Sequence, residues 1–163
     1  MESYINIPLL TAIAAIGLAQ LIKIPLYYIP NKSWNWSLMF STGGMPSSHS
    51  AAMTALATSI GLEYGLHSPL FAIAVVFGMI VMFDAAGVRR HAGEQAVVLN
   101  RLVEDVNLLV KEMKNWKGQT EQGKRNKLKE LLGHQPIEVM VGAVFGIVFA
   151  FVVHYVLDVL EVL

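Results

Sequence analysis

One short segment, residues 41–51, combines residue types that could bind and transfer a phosphate group. Two glycines are followed by a proline, two serines and a histidine, at Gly43, Gly44, Pro46, Ser47, Ser48 and His49. Proline suits the first turn of a helix because its missing N–H would have no partner there. The free N–H groups and positive dipole end of such a helix attract anions. We therefore expect a phosphate site that includes Ser47, Ser48 and His49, with an ordinary helix cap as the alternative.

A second polar segment, residues 84–95, ends a strongly apolar stretch. If one helix continues through it, Asp84, His91 and Gln95 lie on a single stripe. Arg89 and Arg90 add planar guanidinium donors that suit phosphate oxygens. A carboxylate near the end of an apolar span is costly unless it is paired, which makes Asp84 a functional candidate. The alternatives are that the arginines anchor the chain at the membrane interface and that Asp84 forms a structural salt bridge with one of them.

The composition indicates a membrane protein. Hydrophobic residues make up 55% of the 163 residues and charged residues 15%, and the mean hydropathy is +0.52. These values are too apolar for an ordinary soluble domain. The length suggests a single domain, residues 1–163, and the absence of cysteine excludes disulfides and thiolate metal sites.

Apolar stretches predict an all-α bundle of about four transmembrane helices. The predicted spans are residues 5–29, 46–64, 70–88 and 137–160. Small residues recur every fourth position in the second span, at Ala51, Ala55 and Ser59, which places this span inside the bundle. The charged segment 89–135 contains an amphipathic helix whose apolar stripe would cover the membrane, the bundle or a second copy of the chain. A homo-oligomer is therefore one possible assembly.

The charge distribution predicts the topology. Ten of the twelve lysines and arginines lie between Arg89 and Lys129, so this segment should be cytoplasmic and both termini should lie outside. A short turn joins the second and third spans. The segment that begins the second span and the segment that ends the third therefore share one membrane face, and Lys23, near the end of the first span, reaches the same face.

The two polar segments together resemble the type 2 phosphatidic acid phosphatase (PAP2) superfamily, which includes the vanadium haloperoxidases. Pro46-Ser47-Ser48-His49 resembles its Pro-Ser-Gly-His motif. The further runs at residues 84–95 and 132–139 make the whole chain most similar to the divergent branch of that superfamily. The second superfamily motif is Ser-Arg-x5-His-x3-Asp, in which the histidine attacks phosphorus and the aspartate orients it.

The resemblance implies roles for individual residues. His49 would protonate the leaving group and His91 would be the nucleophile, with Gln95 in the place of the orienting aspartate. Lys23, Arg89 and Arg90 would hold the phosphate with the two serines, and Asp84 would complete the catalytic set. The implied activity is hydrolysis of a lipid phosphate or diphosphate without a cofactor. The charge distribution would place this activity at the cytoplasmic face of the membrane, which we expect to be a bacterial plasma membrane.

Two other functions remain open from the sequence. The chain could bind a lipid or a phosphate without catalysis, as a relic of the fold with altered motifs. It could also use Mg²⁺, held by Asp84, Glu94 and His91 together with a diphosphate. In each case the expected partners are a phosphorylated lipid and the membrane, and no nucleic acid.

Overall fold

The computed structural model describes residues 6–41, 43–117 and 134–160, and for residues 112–117 it describes the backbone alone. Throughout these residues the chain is helical or irregular, without strands, which confirms the predicted all-α fold. The five α-helices and one short 3-10 helix are α1 (Ile7–Asn31), the 3-10 helix (Trp36–Phe40), α2 (Ser48–Tyr64), α3 (Pro69–Ala86), α4 (Val88–Lys117) and α5 (Pro136–Val159).

The core is formed where α1 and α5 pack on α2. Each helix contributes small or polar residues at every fourth position, so that one narrow stripe per helix faces the other two. Ala15, Ala55 and Ala150 form one layer of this core, and all three are fully inaccessible to solvent. The small-residue stripe predicted for the second span is therefore at the centre of the bundle, as expected.

Two glycines of α5 allow this close approach. A Cβ atom on Gly142 would collide with the backbone of Ser47, and one on Gly146 would collide with the carbonyl oxygen of Ala51. Any larger side chain at either position would force α5 away from α2. The helix spacing at the start of α2 is thus set by the absence of side chains on α5.

The three-helix core has a buried polar group at each end, and a layer of fully buried alanines lies between them. At one end lie Lys23 of α1 and Ser47 of α2, both buried. At the other end, the buried hydroxyl of Ser59 lies 2.6 Å from Nε2 of His154. Layers of alanine and glycine separate these two polar ends.

In the part of the chain that the structure describes, three stretches are long and apolar enough to cross a membrane, namely Ile7–Asn31, Pro69–Lys111 and Pro136–Val159. The second stretch joins α3 to part of α4, and its apolar portion is α3. Helix α2 has 17 residues and is enclosed by α1, α3 and α5. Many large apolar side chains of α1, α3 and α5 are exposed, as expected of surfaces that face lipid.

Helix α4 is the amphipathic helix predicted after the third span. It begins at Val88, directly after a break at Gly87, where the backbone leaves helical geometry with φ −108° and ψ −86°. Among the described residues it packs on α3 alone. The rest of the predicted cytoplasmic segment, residues 118–133, lies outside the described residues.

Candidate active site

The start of α2 is tied to the start of α5. Ser47 caps α2 with its side-chain oxygen, which accepts hydrogen bonds from the N–H and the hydroxyl of Ser50 at 3.4 and 3.1 Å. Its own N–H donates to the carbonyl oxygen of Glu138 at 3.0 Å. Ser47 is fully buried and Ser48 is 3% exposed. The hydroxyl of Ser47 therefore has a structural partner, which agrees with the alternative that this residue is a helix cap.

The N–H groups of Ser48 and His49 belong to the first turn of α2. Such groups have no acceptor within their own helix, because the helix supplies none before its first turn. They also lie at the positive end of the helix dipole. The imidazole of His49, on the same turn, is exposed. This end of α2 can therefore receive an anion.

Lys23 reaches this region from α1. Its side chain is 3% exposed, and its ammonium group donates to the carbonyl oxygens of Gly43 at 3.0 Å and Ser41 at 3.5 Å. Gly44 has a positive φ of 89°, and a Cβ atom there would lie 3.8 Å from the Lys23 side chain. The loop that contains Gly43 and Gly44, here called the glycine loop, thus contacts the Lys23 side chain. The Lys23 ammonium group lies next to the start of α2, where its charge acts on His49.

At the start of α5, the buried imidazole of His134 is paired with the partly buried carboxylate of Glu138. Nδ1 of His134 lies 3.0 Å from Oε2 of Glu138, and the same oxygen accepts the N–H of Gln135 at 3.1 Å. A carboxylate can only accept, so Nδ1 carries the hydrogen. His134 is 3% exposed, and its Nε2 has no hydrogen-bond partner within the described part of the chain. The pair therefore holds the ring through Nδ1 and leaves Nε2 without a hydrogen-bond partner among the described residues.

Several helices place charged groups around His49. Arg89, His134 and Lys23 are all close enough for their charges to act on its imidazole. Glu138 in turn acts on Lys23. The N–H of His134 donates to the carbonyl oxygen of Ala85 at 3.0 Å, which connects the start of α5 to the end of α3. The site thus draws on α1, α2, α3, α4 and α5.

Asp84 and Arg89 form an ion pair across the break between α3 and α4. Nε of Arg89 lies 2.6 Å from Oδ2 of Asp84, and both side chains are partly exposed. This pair agrees with the alternative in which Asp84 makes a structural salt bridge. It uses one nitrogen of the guanidinium, so that the remaining N–H groups can still donate to another acceptor.

The remaining residues of the second polar segment lie on the exposed surface of α4. The His91 side chain is 72% exposed, and its Nδ1 lies 3.2 Å from Oε2 of Glu94. Arg90 pairs with Oε1 of the same glutamate at 3.0 Å, and hydrogen bonds from Arg90 and His91 lower the pKa of the Glu94 carboxyl. Gln95 is exposed. His91, Glu94 and Gln95 line one open pocket on this surface, and His91 as the nucleophile oriented by Gln95 stays a prediction.

The expected stripe of Asp84, His91 and Gln95 required one continuous helix, whereas the backbone leaves helical geometry at Gly87, between Asp84 and His91. Asp84 remains beside the bundle, while His91 follows the surface of α4. The residues of the alternative metal site lie on two helices, Asp84 on α3 and both His91 and Glu94 on α4. Among the described residues, no group of three potential metal ligands lies close together.

His134 and Glu138 were missed as site residues, although the sequence contains a signal for them. They are four residues apart at a helix start marked by Pro136. Their His-x3-Glu spacing matches the His-x3-Asp half of the second superfamily motif, with glutamate in the place of aspartate. No arginine precedes His134 at the motif's spacing, since position 128 is a leucine. Arg89 instead approaches from another helix.

Comparisons with known proteins identify the family of this chain. A family model described as "Divergent PAP2 family" matches residues 4–149. The chain belongs to the divergent PAP2 family. It is also 56% identical over 155 residues to a Bacillus subtilis (strain 168) protein named "Uncharacterized membrane protein YuiD", covering 95% of this chain and 98% of that protein. No solved structure matches this chain. This divergent PAP2 protein is thus an integral membrane protein, with its polar cluster at one end of the bundle.

Proposed function

We propose that this protein is a membrane phosphatase that hydrolyses a lipid phosphate or diphosphate, with His134 as the nucleophile. The observation that carries the proposal is the pair of buried His134 and partly buried Glu138, in which Nε2 of His134 has no hydrogen-bond partner among the described residues. The pair lies next to the helix start that carries His49, because the N–H of Ser47 donates to the carbonyl oxygen of Glu138. Membership in the divergent PAP2 family supports the same reaction class. His134 takes the place of His91 in the scheme drawn from the sequence.

In the first step, Nε2 of His134 attacks phosphorus and the bond between phosphorus and the leaving oxygen breaks. His49 gives its proton to that oxygen, which departs as an alcohol or, from a diphosphate, as a monophosphate. Glu138 accepts the Nδ1 hydrogen bond and stabilises the positive charge that the ring acquires. The enzyme then holds a phosphohistidine at His134.

In the second step, a water molecule attacks the phosphohistidine. His49, now neutral, accepts a proton from this water, and the bond between Nε2 and phosphorus breaks. Inorganic phosphate leaves, and both histidines return to their starting forms. Lys23, Arg89 and the N–H groups of Ser48 and His49 stabilise the phosphoryl oxygens in both steps. As proposed, the reaction requires no metal ion.

We place the reaction at the cytoplasmic face of a bacterial plasma membrane. The support is the excess of lysine and arginine in the segment between α3 and α5, since basic segments remain in the cytoplasm. Both ends of that segment lie at the candidate site, because α4 follows Asp84 and α5 begins beside His134.

The test is phosphate release by the purified protein in detergent over a panel of lipid phosphates and diphosphates. We expect His134→Ala to abolish turnover, and His91→Ala, a histidine change on the exposed surface, to retain it. Rapid acid-free quenching with labelled substrate should trap a phosphohistidine in wild type and not in His134→Ala. Retained turnover in His134→Ala would reject this nucleophile.

The same assay separates the other functions. Activity that is lost on adding EDTA and restored by Mg²⁺ would support the metal-dependent alternative. Lipid phosphate that binds without ever releasing inorganic phosphate would support the non-catalytic one. His49→Ala should lower the rate much less with a nitrophenyl phosphate than with an alkyl phosphate, because nitrophenolate leaves without a proton.

A further inference from the structure

A second polar layer crosses the core at the end opposite the candidate active site. It lies one helical turn beyond the layer of fully buried alanines, since each member is four residues from the alanine of its own helix. The members are Thr11 of α1, Ser59 of α2 and His154 of α5. Ser59 is fully buried and Thr11 is 2% exposed. The register of the three helices therefore brings these polar groups to one level inside the bundle.

Two buried oxygen atoms at this end lack a hydrogen-bond partner within the part of the chain that the structure describes, namely Oγ1 of Thr11 and Oε1 of Glu63. The hydroxyl of Ser59 is different, because its Oγ lies 2.6 Å from Nε2 of His154 and one of these groups donates to the other. Native proteins pair buried polar atoms with protein groups, ordered water or ions, since a buried polar atom without a partner is destabilising. The two oxygens are therefore available to a bound ligand.

Glu63 reaches the polar layer from the next turn of α2. It lies four residues after Ser59, on the same face of the helix. Side chains in a helix lean toward the helix N-terminus, so that of Glu63 covers the turn that carries Ser59. The charges of Glu63 and His154 act on each other, which places both groups at this level. A carboxylate oxygen thus joins the two hydroxyl oxygens.

The core helices supply no fixed positive charge to this carboxylate. Helices α2, α3 and α5 contain no lysine or arginine, and the single lysine of α1, Lys23, lies at the opposite end of the core. Among the described residues, the one positive charge that acts on Glu63 is that of His154 in its protonated form. A buried carboxylate is costly unless it is paired, protonated or bound to a cation. The charge balance at this end therefore favours a cation from solution.

We infer that this polar layer binds one monovalent metal cation of the size of Na⁺, coordinated by Glu63, Thr11 and Ser59. Hard cations prefer oxygen ligands, and one carboxylate with two neutral hydroxyls matches a charge of +1. A Ser59 hydroxyl that donates to Nε2 of neutral His154 keeps both of its lone pairs for the ion. A divalent ion would call for further carboxylates, and no group of three histidine or acidic ligands lies close together among the described residues. The inference does not depend on the proposed reaction.

Thermal unfolding in detergent tests the site through the stability of the bundle. The protein is compared in NaCl and in choline chloride of the same ionic strength, because choline is too large for a site inside the core. A cation that binds the folded state raises Tm, and we expect a rise of roughly 5–10 °C at 100 times the dissociation constant. Thr11→Val and Glu63→Gln should be at least as stable as wild type in choline chloride, since one removes an unpaired hydroxyl and the other a buried charge. Neither should respond to Na⁺.

Two matched variants control for the chemical change. Thr58→Val removes a hydroxyl on the side of α2 that faces α3, and Glu94→Gln removes a carboxylate at the exposed surface of α4. Both should keep the full response to Na⁺. The same Tm for the wild-type protein in NaCl and in choline chloride would overturn the inference. A full Na⁺ response retained by Thr11→Val or by Glu63→Gln would overturn it as well.

Direct binding distinguishes an ion in this layer from a general effect of salt. Radioactive Na⁺ is bound to the purified protein in a scintillation proximity assay and displaced with unlabelled salts. We expect saturable binding that NaCl displaces and choline chloride does not, and that Thr11→Val and Glu63→Gln lose. Binding that does not saturate, or that CaCl₂ displaces at lower concentration than NaCl, would reject the monovalent site. Both measurements are made without a phosphate substrate, so failure of the proposed reaction would leave their outcome unchanged.

Discussion

Nε of Arg89 lies 2.6 Å from Oδ2 of Asp84, across the break that separates α3 from α4. The pair holds the first arginine of α4 beside the bundle and close to His49. The neighbouring Arg90 pairs with Glu94 on the exposed side of the same helix. Two adjacent arginines therefore have different partners, Asp84 for Arg89 and Glu94 for Arg90.

Asp84→Asn should lower activity by misplacing Arg89, since an amide holds a guanidinium less firmly than a carboxylate does. We expect kcat/KM to fall by about 10-fold, less than for Arg89→Ala, in line with charge-assisted hydrogen bonds worth roughly 1.5–3 kcal/mol. Glu94→Gln is the control, because its ion pair with Arg90 is exposed and such pairs contribute about 0–1 kcal/mol. Equal losses in the two variants would show that the position of Arg89 is not important.

Glu138→Gln should lower kcat far more than it lowers stability. The amide can still accept a hydrogen bond but provides no negative charge to the His134 ring during attack. We expect a loss of at least about 100-fold in kcat, as for other groups that act in proton transfer and charge stabilisation. Glu138→Asp keeps the charge with a shorter reach and should recover part of the rate. The measurement is steady-state turnover beside thermal unfolding, and an unchanged kcat in Glu138→Gln would exclude this role.

Gly142→Ala should destabilise the bundle, because the added methyl group collides with the Ser47 backbone. Overpacking of this kind costs about 1–3 kcal/mol. Gly17→Ala is the matched control in α1, since a Cβ atom there has no neighbour within 4 Å. That change should be neutral or stabilising by up to about 1 kcal/mol, the helix preference of alanine over glycine. Thermal unfolding in detergent compares the two variants, and a similar response from both would contradict the packing described here.

Single cysteines should report which face of the membrane carries the site, because the chain has no cysteine of its own. Phe40, in the segment that leads to the glycine loop, is 87% exposed, and Leu66, in the turn between α2 and α3, is 69% exposed. In intact cells we expect an impermeant thiol reagent to label Leu66→Cys and not Phe40→Cys. In inverted vesicles the pattern should reverse. Labelling of Phe40→Cys in intact cells would place the site outside.

The sequence was sufficient to predict the fold because the main determinants are local. The stripe of Ala51, Ala55 and Ser59 requires close helix neighbours, and the apolar stretches require a membrane. The site was harder to predict, since it depends on contacts between distant segments. His134 donates to the carbonyl oxygen of Ala85 across nearly fifty residues of chain, and no local pattern indicates that contact. The helix also breaks at Gly87, between Asp84 and His91, and an isolated glycine in a helical pattern does not by itself predict a break.

The alanine and glycine layers between the two polar ends of the core have a consequence for the substrate. Ala15, Ala55 and Ala150 are inaccessible to solvent, so the space between these three helices offers no aqueous path from one side of the bilayer to the other. If the protein is the phosphatase that we propose, it should act on the lipid of one leaflet. In sealed vesicles it would consume only the lipid phosphate of that leaflet, in a rapid phase of fixed amplitude. The rate of any slower phase would then measure how fast the lipid phosphate crosses the bilayer.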